Sequence, residues 1–146
     1  VLKQPKIPTW TAADTAEGME LLTPLGDPLN LGALIRSALG FGCDKIVLLQ
    51  EACHPFHPKC IKASAGAVLR AQIARGPALA HLQNMQIPGL IGLGANGSYS
   101  LPKFEWPKRS VLLVGEEGPG LPFSPPVVLK IPTKNIESLN GTVAAS

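Results

Sequence analysis

The sequence predicts an α/β domain built on a parallel sheet. Short apolar runs of four or five residues alternate with stretches of helical periodicity, which is the pattern that βαβ units produce. Some of these runs, such as residues 45–49 (KIVLL), are apolar throughout, as expected of strands buried on both faces of a sheet. A chain of 146 residues suits one compact domain.

Six apolar runs bounded by turn-forming residues are the predicted strands. In chain order they are residues 20–23, 45–49, 71–74, 89–93, 110–114 and 127–131. In a parallel sheet, ligands bind beyond the carboxyl ends of the strands. Segments rich in glycine and asparagine follow several of these runs, so we expect them to share one site.

The predicted helices lie between the strands. Residues 30–39 carry apolar side chains at helical spacing, with Asn30 suited to cap the start and Gly40 and Gly42 to end the helix. Further helices are predicted over residues 58–65 and 77–85, and a last one near the C-terminus, for which Ser138 could serve as N-cap. Residues 1–13 are rich in proline and lack periodicity, so we interpret 1–16 as a linker or N-terminal arm and 17–146 as the domain.

Composition excludes several classes of protein. No apolar run reaches the ~18 residues of a membrane span, and the N-terminus lacks a secretory pattern. The odd number of cysteines, three at irregular spacing, indicates reduced thiols and a cytoplasmic protein. The net charge of +3 is compatible with a nucleic-acid partner but does not establish one.

Two local features carry no predicted site. Cys53 and Cys60 enclose two histidines, but the C-x₆-C spacing is unlike common zinc modules and two prolines restrict the segment, so no metal is predicted. Trp10, Tyr99 and Trp106 are isolated in the sequence, so no stacking platform for single-stranded nucleic acid is predicted either.

Three segments carry the chemistry. Residues 27–42 place Asn30 at a helix start and Arg36, the lone charge of that helix, six residues later. Taken alone, this segment reads as a capping asparagine and a solvated arginine. Residues 131–146 run from a strand end through a polar loop to Ser138-Leu139-Asn140 and a run of small residues that permits close backbone packing.

Between them, residues 112–121 (LLVGEEGPGL) join a buried strand to a loop that contains Gly115, Gly118 and Gly120. Because glycine has no Cβ, such a loop lets backbone amides and carbonyls approach a ligand closely. The loop is not G-x-G-x-x-G and lacks a P-loop lysine, which disfavours dinucleotide and triphosphate binding. Glu116 and Glu117 would repel a phosphate and could instead cap the following turn.

In this order, the three segments resemble the signature motifs of the SpoU/TrmH family of RNA 2′-O-methyltransferases. The matching patterns are N-x-G-x-x-x-R-x-A from Asn30, V-G-x-E-G-x-G-L from Val114, and I-P followed by S-L-N-x-x-V-A-A from Ser138. The resemblance spans roughly residues 20–146 and implies a parallel α/β domain of the SPOUT superfamily with a deep C-terminal trefoil knot. It also implies S-adenosylmethionine as cofactor, an RNA substrate (ribosomal or transfer RNA) and a homodimer with the RNA site near the subunit interface.

The resemblance also assigns residue roles. Gly115, Ile131 and Leu139 are implied cofactor contacts, together with the loop glycines Gly118 and Gly120. Arg36 is implied in removing the proton of the acceptor hydroxyl, with Asn30, Glu117, Ser138 and Asn140 around it. Because a guanidinium is effectively always protonated, we expect Arg36 to hold an RNA phosphate and stabilise the developing alkoxide. Asn30 and Asn140 would orient Arg36 and the ribose, and Glu117 would hold the loop or Asn30.

Three alternatives remain open from the sequence. The chain could methylate a base, as other members of the knotted superfamily do, although the S-L-N motif and Arg36 argue against it. It could be a non-catalytic RNA-binding or dimerising module, which the retention of all the motif residues disfavours. A nicotinamide-dependent dehydrogenase is disfavoured by the missing glycine fingerprint.

Overall fold

The computed structural model describes residues 4–13, 17–116, 118–134, 136 and 139–146. Within them, seven parallel strands form one sheet with the order β3-β2-β1-β6-β4-β7-β5. The strands are β1 (Gly18–Thr23), β2 (Lys45–Leu48), β3 (Ile73–Arg75), β4 (Leu90–Leu93), β5 (Tyr99–Ser100), β6 (Arg109–Leu113) and β7 (Val127–Lys130). The predicted parallel α/β fold is confirmed, and the knot stays a prediction.

The described residues also form three α-helices and three 3₁₀ turns. The helices are α1 (Pro28–Gly40), α2 (Pro58–Ala63) and α3 (Gly141–Ala145). The 3₁₀ turns are Ala67–Leu69, Leu79–Asn84 and Leu101–Lys103. None of the helices in the described part of the chain is long and apolar enough to cross a membrane.

The central strands are buried on both faces. Leu22 of β1 lies opposite Val47 of β2 on one side and Leu113 of β6 on the other, and all three belong to one apolar cluster. Their chain neighbours Leu21 and Leu112 belong to a second cluster on the opposite face. This alternation, set by the two-residue period of a strand, accounts for the continuous apolar runs in the sequence.

Helices α1 and α2 cover one face of the sheet. The buried side of α1 consists of Leu31, Leu34, Ile35 and Ala38. Gly32 lies where α2 crosses α1, and a Cβ at that position would come within 2.5 Å of the carbonyl oxygen of Cys60. Gly32 therefore permits the close approach of the two helices.

The start of α1 differs from the prediction. Asp27 and not Asn30 is the N-cap, since its side chain accepts hydrogen bonds from the amides of Leu29 (3.0 Å) and Asn30 (2.9 Å). Pro28 occupies the first turn, where its missing N–H costs nothing. The Asp-Pro pair therefore starts the helix two residues earlier than the apolar periodicity indicates.

The N-terminal arm and the 3₁₀ turn Leu79–Asn84 pack on the other face. Trp10 is buried in the apolar cluster that contains Leu22, and its amide donates to the carbonyl of Arg75 at 2.7 Å. The indole Nε1 donates to Oε2 of Glu20 at 2.8 Å, and Nζ of Lys45 lies 3.3 Å from Oε1 of the same carboxylate. Residues 8–10 thus lie along the edge of β3, where Thr9 pairs with Arg75.

Two predicted helices are shorter than expected. Residues 77–85 form the 3₁₀ turn Leu79–Asn84, in which Leu79 and Leu82 are both buried. A spacing of three places both leucines on one side of a 3₁₀ helix, which has three residues per turn. The helix predicted over residues 58–65 ends at Ala63, because Ala65 (φ 50°) and Gly66 (φ 78°) adopt left-handed conformations.

Candidate functional site

The carboxyl ends of β6, β4 and β7, which are neighbours in the sheet, open into one cavity of about 860 Å³. Its walls come from the loops that follow these three strands and from α3. Gly94 and Asn96 follow β4, the glycine loop of residues 115–120 follows β6, and Thr133 follows β7. The strand order therefore brings together segments that are up to forty residues apart in the chain.

The glycine loop folds back on itself. The amides and carbonyls of Glu116 and Gly120 exchange two backbone hydrogen bonds, each 3.1 Å long. Gly118 (φ 89°) and Gly120 (φ 75°) have left-handed conformations that favour glycine. A Cβ on Gly115 would lie 2.6 Å from the carbonyl carbon of Gly120. The loop is consequently compact, and much of the wall that it contributes is main chain.

All five predicted cofactor residues line this one cavity: Gly115, Gly118, Gly120, Ile131 and Leu139. The sequence reasoning missed other wall residues, among them Asn96, Lys130 and Thr133. Asn96 had a visible signal, because the polar turn GANGS follows the apolar run of residues 90–93 as the other site loops follow their strands.

The N-terminal ends of α1 and α3 meet beside the cavity. Nδ2 of Asn140 lies 3.5 Å from Oδ1 of Asn30, and the Thr142 hydroxyl donates to the carbonyl of Asn30 at 3.0 Å. Asn140 is the N-cap of α3, since its side chain accepts from the amide of Thr142 at 2.9 Å. Two predicted site residues, Asn30 and Asn140, are therefore in contact; Glu117 and Ser138 lie outside the described residues.

Arg36 lies apart from this cavity within one chain. Its exposed side chain lines a separate groove of about 480 Å³ with Ser37, Phe41 and Ala63 among its neighbours. Six residues separate Arg36 from Asn30, which corresponds to about 240° around the helix axis and about 9 Å along it. The two side chains therefore face different directions, and one copy of the chain does not place Arg36 at the cavity.

The cysteines are free thiols with raised pKa values. Burial, with the neighbouring Cys53 thiol as a smaller contribution, raises the pKa of Cys60 to about 11. Burial is also the largest cause of the raised pKa of Cys43 and of Cys53. At neutral pH these groups are thus protonated and poorly nucleophilic.

The histidines near Cys53 and Cys60 have local structural roles. Nδ1 of His57 accepts from the amide of Lys59 at 3.2 Å and caps α2, and Nδ1 of His54 accepts from the amide of Phe56 at 3.2 Å. In the part of the chain that the structure describes, no group of three or more His, Cys, Asp or Glu side chains is arranged to hold a metal ion.

Tyr99 and Trp106, which are isolated in the sequence, are not isolated in the structure. Phe104 contacts both rings, with centroid distances of 6.0 Å to Tyr99 and 5.3 Å to Trp106. A three-residue turn (Leu101–Lys103) brings Tyr99 close to Phe104, which spacing in the sequence does not reveal.

Known proteins match both the sequence and this fold. The chain is 40% identical over 155 aligned residues to ribosomal RNA small subunit methyltransferase G 2 of Syntrophobacter fumaroxidans, an alignment that covers 100% of this chain and 29% of that protein. The chain spans less than half the length of the curated relatives it matches.

Two solved structures show how closely the folds agree. An AdoMet-bound rRNA methyltransferase from Sinorhizobium meliloti superposes with a TM-score of 0.77 at 28% identity, covering 90% of this chain and 54% of that one. A second solved structure, which concerns the 2-OH methylation of C/U34 on tRNA, superposes with a TM-score of 0.74 at 25% identity. The match covers 87% of this chain and 88% of that one.

The model of the SpoU rRNA Methylase family matches residues 21–146, which include all three motif segments and every strand from the second half of β1 onward. This chain therefore belongs to the SpoU rRNA methylase family.

Proposed function

We propose that this chain transfers a methyl group from S-adenosylmethionine to the 2′-hydroxyl of a ribose in RNA. The observation that carries the proposal is the convergence of all five predicted cofactor residues on one cavity at the carboxyl ends of β6, β4 and β7. Family membership supports methyl transfer to RNA, and the solved relative that contains AdoMet supports the cofactor.

The residues of the cavity fit S-adenosylmethionine. Main-chain groups of the glycine loop offer donors and acceptors for a nucleoside, and Ile131, Leu139 and Ala144 offer apolar surface to a flat base. Gly115 keeps this wall free of a Cβ that would collide with Gly120. When bound, the cofactor supplies a methyl group on a sulfonium, which is electrophilic without help from the protein.

The remaining task of the protein is to position a hydroxyl and stabilise the charge that develops on it. Asn30 and Asn140, in contact at the meeting point of α1 and α3, are the proposed positioning groups for the ribose. The family resemblance adds Ser138 and Glu117 to the proposed set, with Glu117 to hold the glycine loop or Asn30.

Arg36 is proposed to bind the phosphate and stabilise the alkoxide as a permanent cation. Because one copy places Arg36 in a separate groove, this role requires a homodimer in which α1 of a second copy faces the cavity.

The three free thiols support the proposed cytoplasmic location.

The acceptor atom is the part of the proposal that needs a direct test. The name of the relative from Syntrophobacter fumaroxidans does not mention a ribose acceptor. This chain matches only 29% of that protein, so the name describes more than the matched part. The solved structure that concerns 2-OH methylation of tRNA supports a ribose acceptor. RNA methylated by the purified chain with labelled S-adenosylmethionine should yield nucleosides whose label is on the sugar in mass spectrometry. A label on the base would overturn the ribose assignment.

The role of Arg36 has its own test. Arg36→Ala should reduce methyl transfer about 100-fold or more, the loss expected when a group that stabilises transition-state charge is removed. The affinity for S-adenosylmethionine, measured by calorimetry, should stay near that of the wild type. Arg70→Ala removes a second exposed arginine and is the matched control. Equal losses in the two variants would mean that only the overall charge matters, and the proposed role of Arg36 would be wrong.

A further inference from the structure

Three aromatic side chains form a cluster at one edge of the sheet. Tyr99 belongs to the edge strand β5, and Phe104 and Trp106 follow it after the short 3₁₀ turn. Phe104 is half-buried against the core, whereas Tyr99 is 52% and Trp106 41% exposed. We call these three residues the edge aromatic cluster.

The ring geometry leaves aromatic faces open. Tyr99 and Phe104 are inclined at 68°, and Phe104 and Trp106 at 89°, so both contacts are edge-to-face. Such a contact engages at most one face of a ring. Given the exposure of Tyr99 and Trp106, each has aromatic surface in contact with solvent.

The edge aromatic cluster begins on β5, which pairs with β7, and the end of β7 opens into the cavity. In the pairing of β5 with β7, Tyr99 lies opposite Leu129 and Ser100 opposite Lys130, and Lys130 lines the cavity. The connecting loop is pressed against β7, because a Cβ on Gly97 would lie 2.6 Å from the carbonyl carbon of Leu129. Asn96, another wall residue, precedes Tyr99 by three residues. Because side chains alternate along a strand, Tyr99 lies on the face of Leu129 and Lys130 lies on the other face. RNA whose ribose entered the cavity would therefore reach the cluster by passing around the edge strand β5.

The charges around the cluster suit a polyanion. Residues 94–113 contain three basic side chains, Lys103, Lys108 and Arg109, and one acidic side chain, Glu105. Lys103 and Lys108 are exposed, as is Lys130 in the neighbouring strand. The 3.9 Å pair of Lys108 with Glu17 is highly exposed on both sides and neutralises little.

We propose that Tyr99 and Trp106 form a stacking surface for the bases of single-stranded RNA that flank the nucleotide to be methylated. This inference rests on the proposed function, because it takes the cavity as the site where the ribose enters. Stacking on aromatic rings tolerates any base, since every base has a π-face, and nearby lysines add attraction for the phosphates. The edge aromatic cluster would thus give affinity for an unpaired strand without reading its sequence.

Tryptophan fluorescence of the unaltered protein tests the proposal directly. Trp10 is only 5% exposed and lies in the core, so a base that stacks on the protein can quench only Trp106. An oligouridylate of about 10 nucleotides, within the site sizes of single-strand binders, should quench the emission. Trp106→Phe should abolish the quenching and retain binding, and a fully paired duplex of the same length should not quench. Absence of quenching by the oligouridylate would overturn the proposal.

Substitution gives a second measurement. Tyr99→Ala combined with Trp106→Ala should weaken binding of the oligouridylate at least about tenfold, while Tyr99→Phe combined with Trp106→Phe should bind like the wild type. Leu69→Ala, which truncates another exposed apolar side chain, should have no effect. The affinity of all variants for S-adenosylmethionine should be unchanged, which separates this outcome from loss of the fold.

The possible results lead to different conclusions. Unchanged RNA affinity of the double alanine variant would overturn the proposal, and an accompanying change in sedimentation would assign the cluster to a protein contact. Quenching without any methyl transfer would support the stacking surface while the proposed function failed. Methyl transfer to ribose without quenching would support the proposed function and overturn the stacking surface.

Discussion

At the residue scale, Gly115 and Gly120 show two different reasons for glycine in one loop. Gly118 and Gly120 have positive φ values and open space where a Cβ would stand. Gly115 has no such φ value, but a Cβ there would meet the backbone of Gly120 at 2.6 Å. The sequence predicted a glycine-lined ligand wall, yet it could not tell which glycine is needed for conformation and which for space, because both requirements select the same residue.

Gly115→Ala should therefore weaken the binding of S-adenosylmethionine about tenfold. The added methyl group must displace the backbone of the loop, and overpacking of this kind costs about 1–3 kcal/mol. Calorimetric titration measures the effect. Gly26→Ala is the control, since its Cβ would meet no atom closer than 3.5 Å. Wild-type affinity in Gly115→Ala would show that the loop wall does not contact the cofactor.

At the element scale, α1 depends on a cap that the apolar pattern does not reveal. Asp27→Ala should lower the free energy of unfolding by about 1 kcal/mol, the usual value of an N-cap side chain. The amides of Leu29 and Asn30 would lose their acceptor. Denaturant titration measures the change, and Asp27→Ser, which keeps a capping oxygen, should recover most of it. Equal stability of the alanine and serine variants would contradict the capping role.

The strands were more predictable than the other elements. The apolar runs located six of the seven strands with ends that differ by one or two residues, because burial on both faces leaves a continuous apolar signature. The strand Tyr99–Ser100 was missed because two residues give no periodicity. The separation of Arg36 from Asn30 follows from helix geometry, but which groove each would face depends on tertiary packing that the sequence does not display.

At the scale of the whole molecule, the arm of residues 4–13 is part of the folded structure. Trp10 fills the core and donates to the buried carboxylate of Glu20, which also pairs with Lys45. Periodicity analysis cannot detect such an anchor, since one large side chain in a proline-rich segment gives no repeating pattern.

Trp10→Ala should lower the free energy of unfolding by about 3–5 kcal/mol, the range for a large aromatic removed from a core. Trp10→Phe should cost less, because it keeps most of the apolar contact and loses mainly the hydrogen bond to Glu20. Guanidinium unfolding provides both values. A loss below about 0.5 kcal/mol for Trp10→Ala, typical of surface sites, would show that the arm adds nothing to the fold.

Strand order was the feature least accessible from the residues alone. Local patterns gave the strands but not the sequence β1-β6-β4-β7 that gathers the three site loops. The placement of glycine- and asparagine-rich segments after strands predicted a shared site, but the order of the strands depends on contacts between residues far apart in the chain.

The two outer borders of the sheet limit how other chains can join it. On one border, residues 8–10 lie against β3; on the other, β5 is two residues long and Pro102 soon follows. Short or covered borders of this kind prevent the sheet from recruiting a foreign strand through its main chain. Among the described residues, a second protein would therefore have to engage helices, loops or side chains, and growth into edge-to-edge fibres is disfavoured.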